Sequence, residues 1–264
     1  MNIPFSKYHG AGNDFILIDN RRLQWNPEQK EVAFLCDRHF GIGADGLILL
    51  GEAPGYDFGM TYYNSDGNES TMCGNGGRCI TAFAGSLGLI TAHARFSAID
   101  GAHLANIIFN SSSLFQVRLK MKDVEKIDRA NEDLILNTGS PHYVIFTKDV
   151  DQMDVVKEGR KIRNSPPFVS HGINVDFVEV FDDHLYVRTY ERGVENETLS
   201  CGTGVTAAAI AFALNRKEID GLIKVTTLGG ELNVSFSQNG GSFTNVWLEG
   251  PAERVFQGEM EIGE

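Results

Sequence analysis

The chain has 264 residues, of which 42% are apolar, and a formal net charge of −12. This composition is that of a folded globular protein, and so acidic a chain lacks the basic face with which nucleic-acid-binding proteins meet phosphates. The first 20 residues carry Lys7, His9 and Asp14 where a signal peptide would be apolar, and the longest apolar run, 207–214, is too short for a membrane span. We therefore expect a cytoplasmic protein that binds neither nucleic acid nor membrane.

In the first half of the chain, short apolar runs predict strands and two segments predict helices. The first helix opens at Asn26-Pro27, carries Phe40 on its apolar face and ends at Gly41. The second helix covers 77–89 and is apolar on most faces, which predicts burial all round. The predicted strands are 14–19, 46–50, 57–63, 95–99, 104–109 and 114–121.

The same order then restarts. Helices are predicted at 151–163 and 204–215, the latter again rich in small apolar residues. The predicted strands are 142–146, 174–181, 184–190, 222–227, 231–236 and 243–249. A closing run at 254–262 is left over and can return to the first half.

This repetition predicts an α/β fold of the α+β type with two pseudo-symmetric domains, each a mostly antiparallel sheet wrapped around a central helix. The first domain is predicted to cover residues 1–117, completed by 253–264, and the second 118–252. Because ligands favour domain interfaces, we expect the active site in the cleft between the two domains.

Two cysteines share one local sequence. The pattern Glu-x-x-x-Cys-Gly-x-Gly occurs at 69–76 and again at 197–204, which indicates an internal duplication. Cys73 and Cys201 each precede a predicted helix, where unpaired N–H groups can bind a carboxylate and can lower a thiol pKa from ~8.5 to roughly 3.5–7.5.

Such a thiol pair suits a two-base epimerase. One thiolate removes the proton on an α-carbon and the opposite thiol protonates the other face, with sulfurs roughly 7 Å apart. The resting pair is expected to hold one charged and one neutral thiol, because the two titrations are coupled.

The remaining cysteines and the histidines predict neither metal nor disulfide chemistry. No Cys-x-x-Cys occurs and the seven histidines are scattered, so no metal site is expected. Cys36 and Cys79 fall on predicted helices and are expected to pack as apolar side chains. The thiols are expected to be free in a reducing compartment.

Three alternatives stay open at this point. Another cofactor-free racemase or isomerase, acting on proline, hydroxyproline or a tricarboxylate, would use the same thiol pair. A thiol-redox protein would need a nearby resolving cysteine. A non-catalytic anion-binding module would need the helix N-termini but not both sulfurs.

Five blocks of sequence, taken together, resemble the diaminopimelate epimerase family. They are "YHGAGNDF" (8–15), "NSDGNESTMCGNGGRC" (64–79), "GSPH" (139–142), "GINVDF" (172–177) and "ERGVENETLSCGTG" (191–204). The resemblance implies an isomerase that interconverts LL- and meso-2,6-diaminopimelate in lysine and peptidoglycan precursor synthesis, without pyridoxal phosphate or any other cofactor. It also implies the two-domain fold and a homodimer.

The resemblance implies a role for each matching residue. It makes Cys73 and Cys201 the acid/base pair. The backbone N–H groups implied to bind the reacting carboxylate are those of Gly74, Asn75, Gly202 and Thr203. The side chains implied to hold the rest of the substrate are Asn13, Asn64, Asn174, Glu191 and Arg192, with Arg192 on the distal carboxylate.

The chain departs from the family pattern at three places. Ser140 replaces a common Asn, so its contact with the distal end of the substrate is expected to be shorter or water-bridged. Gly46 replaces an occasional Gln and is assigned no side-chain role. The loop from Glu191 to Cys201 is one residue longer than in many members, which leaves the placement of 195–197 open.

Overall fold

The structure is a computed structural model that describes residues 2–216 and 221–261. The last residue of the predicted run 254–262, and the predicted domain end at 262–264, lie outside the described residues. The chain divides into two compact units, Met1–Leu119 with Gly250–Glu264 and Lys120–Glu249. The sequence-based boundaries at 117/118 and 252/253 fall within three residues of these.

The first unit contains nine strands and two helices. They are β1 (Asn2–Gly10), β2 (Asn13–Asp19), α1 (Gln29–Cys36), β3 (Gly46–Gly51), β4 (Phe58–Asn64), β5 (Glu69–Ser70), α2 (Gly74–Ser86), β6 (His93–Ala98), β7 (Gly101–Asn110), β8 (Leu114–Lys120) and the second part of the last strand of the chain, β17 (Ser242–Glu261).

The strands of the first unit close into a barrel around α2. The order is β1–β2–β3–β4–β6–β7–β8–β17, and β17 pairs back to β1. The β2–β3 and β4–β6 pairs are parallel and the others are antiparallel. Helix α2 contacts β1, β2, β3, β4 and β7, and its residues Gly74–Ala84 are buried. A helix enclosed by a closed sheet needs no polar face, which explains its sequence.

The second unit repeats this plan. It contains β9 (Ile127–Ala130), β10 (Asp133–Asn137), β11 (Pro141–Phe146), a 3-10 turn (Val150–Gln152), α3 (Val155–Arg163), β12 (Asn174–Val180), β13 (Leu185–Glu191), β14 (Asn196–Thr198), α4 (Gly202–Asn215), β15 (Leu222–Thr227), β16 (Gly230–Asn239) and the first part of β17.

Its sheet runs β9–β10–β11–β12–β13–β15–β16–β17, with an isolated bridge between Val124 and Phe243. The parallel pairs are β11–β12 and β13–β15, at the places equivalent to the parallel pairs of the first unit. Helix α4 contacts β10, β11, β12, β13, β15 and β16. The fold is therefore α+β, dominated by mixed sheet with a closed barrel and few helices, as the sequence predicted.

Several local predictions were wrong. Helix α1 ends at Cys36, so Phe40 lies beyond it and is 79% exposed. Helix α2 begins at Gly74 instead of Gly77, because Cys73 caps it. The predicted helix at 151–163 is a 3-10 turn followed by α3.

The sequence reading also missed β1, β9, β10 and the short edge strands β5 and β14. None of the helices in 2–216 and 221–261 is both long and apolar enough to cross a membrane.

Candidate active site

Cys73 is the N-cap residue of α2. Its backbone is extended, and its Sγ accepts a hydrogen bond from the N–H of Gly76 at 3.1 Å. The side chain is half-buried. An N-cap side chain normally satisfies one of the free N–H groups of the first turn, and here a sulfur does so. The sulfur is therefore held at the positive end of the helix dipole.

The glycines after Cys73 let the helix start approach its surroundings closely. A Cβ on Gly76 would lie 3.1 Å from the Cys73 Sγ, and one on Gly77 would lie 2.8 Å from the Met72 sulfur. Gly74 and Asn75, predicted to bind a carboxylate through their backbone, both lie in this buried first turn. The structure thus places Cys73, Gly74 and Asn75 together at one helix N-terminus.

Asn13 joins the same cluster. The Asn75 amide donates to the Asn13 Oδ1 at 3.3 Å, and the Asn13 amide donates to Asp45 at 2.6 Å. Asp14, next in sequence, forms ion pairs with Lys7 at 2.7 Å and with Arg38 at 2.7 Å. Burial opposes ionisation of the Asp14 carboxyl, but the hydrogen bonds from Arg38 and Lys7 outweigh it and hold its pKa at about 2. Asn13 is therefore fixed by Asp45, which belongs to the same charged network through its ion pair with Arg38.

Arg78, one turn into α2, is 0% exposed. It donates to the Gly74 carbonyl at 3.2 Å, to the Asn75 Oδ1 at 2.8 Å and to the Pro251 carbonyl at 3.3 Å. Burial lowers the pKa of the guanidinium to about 10, while Cys79 and Cys73 act to raise it. The sequence reading assigned this residue no role, since an arginine in a helix is ordinarily a solvated side chain.

Asn64 and Gly46 face each other across the β3–β4 pair. Asn64 ends β4 and opens a turn in which the Gly67 N–H donates to its carbonyl at 2.9 Å. A Cβ on Gly46 would lie 2.5 Å from the Tyr63 carbonyl oxygen and 2.6 Å from the Tyr62 ring. This crowding explains why no side chain stands at position 46.

In the second unit, Cys201 is the N-cap residue of α4. Its Sγ lies 3.4 Å from the Thr203 Oγ1, and its carbonyl accepts the N–H of Val205 at 2.9 Å. The equivalent carbonyl bond in the first unit, Gly77 N–H to the Cys73 carbonyl, is 2.8 Å long. The two cysteines therefore occupy the same backbone position in the two repeats.

A buried polar chain leads to Thr203. His142 Nδ1 lies 2.7 Å from the Asp176 Oδ2, and both side chains are 0% exposed. His142 Nε2 lies 2.9 Å from the Thr203 Oγ1. The parallel register of β11 and β12 sets Asn174 beside His142, and Asp176 lies on the same face two residues later. Both residues belong to motifs of the sequence, "GSPH" and "GINVDF", but the sequence alone predicted no role for His142 or Asp176.

Cys201 differs from the sequence expectation in its acidity. Burial raises the pKa of the Cys201 thiol well above its ordinary value, and the carboxylates of Glu191 and Asp176 raise it further. Hydrogen bonds with Thr203 and the Gly204 N–H lower it by less. The expectation that the helix N-terminus makes this thiol acidic is wrong here, because burial and two nearby anions outweigh the helix.

Three residues predicted to hold the distal end of the substrate lie together. The Asn174 Nδ2 donates to the Ser140 Oγ at 3.0 Å, and the Asn174 Oδ1 accepts the Arg192 N–H at 2.8 Å. The Arg192 guanidinium is exposed and donates to the Ser140 Oγ at 3.4 Å and to the His171 carbonyl at 3.0 Å. Ser140 thus contacts both neighbours directly.

The two glutamates of the repeated motif have different environments. Glu197 accepts two hydrogen bonds from Arg188, at 2.6 and 2.7 Å, and is structural. Glu69 is exposed on the edge strand β5. Within the described ranges, no group of three His, Cys, Asp or Glu side chains is arranged to hold a metal.

Comparison with known proteins identifies the family. The sequence model described as diaminopimelate epimerase matches residues 5–107 and 134–255. The chain belongs to the diaminopimelate epimerase family. It is therefore an isomerase of the epimerase type.

Its relatives match over nearly their whole length. The diaminopimelate epimerase of Flavobacterium psychrophilum is 52% identical over 254 residues, which cover 95% of this chain and 97% of that protein. The diaminopimelate epimerase of Chlorobaculum tepidum is 41% identical over 263 residues, covering 96% and 99%.

Solved structures of low identity share the fold of this family member. A PhzF-family phenazine biosynthesis protein of Bacillus anthracis has a TM-score of 0.78 at 15% identity, covering 99% of this chain and 100% of that one. A hydroxyproline epimerase of Agrobacterium vitis has a TM-score of 0.72 at 13% identity, covering 100% and 93%. At these identities the likeness concerns the fold alone.

Proposed function

We propose that the chain interconverts LL- and meso-2,6-diaminopimelate, with Cys73 and Cys201 as the two acid/base groups and without pyridoxal phosphate or a metal. The observation that carries this proposal is the repeated N-cap cysteine, Cys73 on α2 and Cys201 on α4. A binding module would have no need of a sulfur at the same position in both repeats.

The reaction moves one proton on and one proton off the α-carbon. A thiolate takes the α-proton, and the electron pair of the broken C–H bond passes into the substrate carboxylate. The N–H groups at the starts of α2 and α4 stabilise this developing charge. The second thiol gives its proton to the opposite face, which inverts the centre and leaves the charge on the other sulfur.

The rest of the substrate requires fixed polar partners, since it carries two carboxylates and two ammonium groups. The exposed guanidinium of Arg192, beside Ser140 and Asn174, supports a distal carboxylate subsite. Asn13, Asn64 and Glu191 are proposed to bind the remaining polar groups. The Asp45 bond to Asn13 supports this assignment because it fixes the amide orientation.

The test is epimerisation of LL-diaminopimelate by the reduced protein after removal of pyridoxal phosphate. We expect activity in the unmodified chain and in Cys36→Ala, and none in Cys73→Ala or Cys201→Ala. Full activity in either of the last two variants would contradict the thiol pair. Activity on proline or hydroxyproline in place of diaminopimelate would favour the racemase alternative.

The assembly and location of the enzyme are further proposals. We infer a homodimer in the cytoplasm, serving lysine and peptidoglycan precursor synthesis, from the family resemblance. Sedimentation equilibrium of the purified chain tests the dimer, since a monomer at micromolar concentration would contradict it.

A further inference from the structure

Arg78 is a buried cation without an anionic side-chain partner. Among the described residues, no Asp or Glu lies within ion-pair distance of its guanidinium, which donates to two carbonyls and to the Asn75 amide oxygen. An unpaired buried charge is costly, and proteins retain one where it meets a charge that forms during function. We therefore expect the Arg78 guanidinium to interact with an anionic group that forms during function.

The ionisable groups that interact with Arg78 are thiols. Cys79 and Cys73 both interact electrostatically with Arg78. Cys79 is 0% exposed, and its burial raises the pKa of that thiol, which keeps it neutral. Cys73 is half-buried, and its sulfur already accepts the Gly76 N–H. Of the two, Cys73 is thus placed to carry the charge that Arg78 balances.

Cys201 has no cation like Arg78 among the described groups that act on it, and its neighbours form a different hydrogen-bond network. The Asn174 Oδ1 accepts the Arg192 N–H, so its NH₂ group is turned towards His142 Nε2 at 3.2 Å. That nitrogen must then be an acceptor, and the proton of the neutral ring sits on Nδ1, facing Asp176. The Thr203 Oγ1 lies 2.9 Å from the same Nε2 and 3.4 Å from the Cys201 Sγ, so Thr203 links the ring to the sulfur.

The other charged and titratable groups agree with a charged thiolate at Cys73 and a neutral thiol at Cys201. Near Cys79, β1 supplies the neutral Tyr8, which also interacts with Arg254 of β17. Strand β2 supplies Asp14, which is paired with Lys7 and Arg38. Near Cys201, β12 and β13 supply Asp176 and Glu191, both anionic. The Arg78 cation therefore acts on Cys73, whereas two carboxylates act on Cys201.

We propose that Arg78 is a positioning residue that keeps Cys73 as the thiolate of the resting enzyme, while the Asp176–His142–Thr203 chain keeps Cys201 as the protonated thiol. This inference rests on the proposed function of the two cysteines. It makes Cys73 the group that is ready to accept a proton when substrate first binds. The reverse reaction then starts from the less populated charge state.

The test measures alkylation of each cysteine by iodoacetamide as a function of pH, read by mass spectrometry of the separate peptides. In the unmodified protein, the pH midpoint for Cys73 should lie below that for Cys201. Normalising each profile to its own maximum removes the difference in exposure. Arg78→Met should raise the Cys73 midpoint by about one pH unit, which makes alkylation about tenfold slower at pH values well below both midpoints.

Two variants separate charge from packing. Arg78→Lys keeps the charge and should leave the Cys73 midpoint close to that of the unmodified protein. Arg95→Met removes an exposed cation that stacks on Tyr56 and should change nothing at Cys73. Thermal melting of each variant reports whether it is folded.

Three results would overturn the proposal: a Cys201 midpoint below that of Cys73, an unchanged Cys73 midpoint in a folded Arg78→Met, or an equal shift in Arg78→Lys. The first applies to the unmodified protein, so the test does not depend on any variant folding. Diaminopimelate epimerisation is measured in parallel. Its absence in the unmodified protein would refute the proposed function, whereas retained epimerisation with a failed midpoint test would refute only the role of Arg78.

Discussion

Replacing Asp176 by Asn should reverse the hydrogen-bond chain that ends at Cys201. The amide can still accept the Thr189 hydroxyl, which donates to the Asp176 Oδ1 at 2.7 Å. Its NH₂ group then faces His142 Nδ1, so the ring must move its proton to Nε2. That proton can be donated to the Thr203 Oγ1 at 2.9 Å, but the Asn174 NH₂ group, 3.2 Å from Nε2, then loses the ring nitrogen as its acceptor.

The magnitude follows from the group that loses its partner. A buried donor left without an acceptor costs about 1–3 kcal/mol. If the transition state bears that cost, the turnover rate falls by roughly 10–100-fold. Loss of the ionised acceptor should also lower the free energy of unfolding by about 2 kcal/mol.

The assay is initial-rate epimerisation of LL-diaminopimelate, with urea unfolding of the same samples. Asp133→Asn is a matched control, because Asp133 also accepts a hydroxyl, that of Tyr143 at 2.7 Å, without contacting the chain to Cys201. A folded Asp176→Asn with the turnover rate of the unmodified protein would refute the directed chain. A rate loss of equal size in Asp133→Asn would refute its specificity.

Asp14→Asn should lower the free energy of unfolding by about 2 kcal/mol at neutral pH, measured by urea unfolding. Because the pKa of Asp14 is depressed on folding, its stabilisation is present above about pH 4 and is lost as pH falls through about 2. The free energy of unfolding of the variant should therefore depend less on pH in the acid range. An acid dependence equal to that of the unmodified protein would contradict this. Gly46→Gln should lower the melting temperature through the clash with Tyr63, whereas Gly59→Ala, with open contacts at 3.4 Å and beyond, should not; equal melting would refute the clash. Arg192→Lys should raise KM for diaminopimelate by at least about tenfold with a smaller change in kcat, because a fork contact becomes a point contact; an unchanged KM would remove Arg192 from the distal subsite.

The duplicated fold could be predicted from the sequence because the repeat consists of local patterns that recur in each half. The central helices, α2 and α4, lack a polar face, and strands with period-two alternation recur at equivalent places in each half, β4 with β13 and β6 with β15. Element ends were predicted less well. The Gly-rich start of α2 has low helix propensity, and the structure begins the helix there only because the Cys73 sulfur and the barrel stabilise the first turn.

The candidate site was predicted only where short motifs carry the chemistry. The two cysteines and the glycines after them are adjacent in sequence, so their shared geometry could be inferred. The contact between His142 and Asp176 depends on the parallel register of β11 and β12, which no local pattern specifies. The burial of Arg78 depends on closure of the barrel around α2, so composition alone gives no sign of it.

The raised pKa of Cys201 shows the same limit. A helix N-terminus is a local feature, and by itself it predicts an acidic thiol. Glu191 and Asp176, which oppose that effect, come from two strands that lie next to each other only in the folded sheet. The equal sequence motifs of the two halves therefore do not imply equal chemistry.

The most direct test of two thiols acting on opposite faces of one carbon is the distribution of solvent deuterium at early times. LL-diaminopimelate is incubated with the reduced protein in D₂O, and the α-deuterium content of recovered LL substrate and newly formed meso product is measured by mass spectrometry. We predict product that carries deuterium while recovered substrate carries almost none, because the proton delivered comes from the second thiol. Equal labelling of substrate and product from the first time point would show that a single base serves both faces, and would contradict the account.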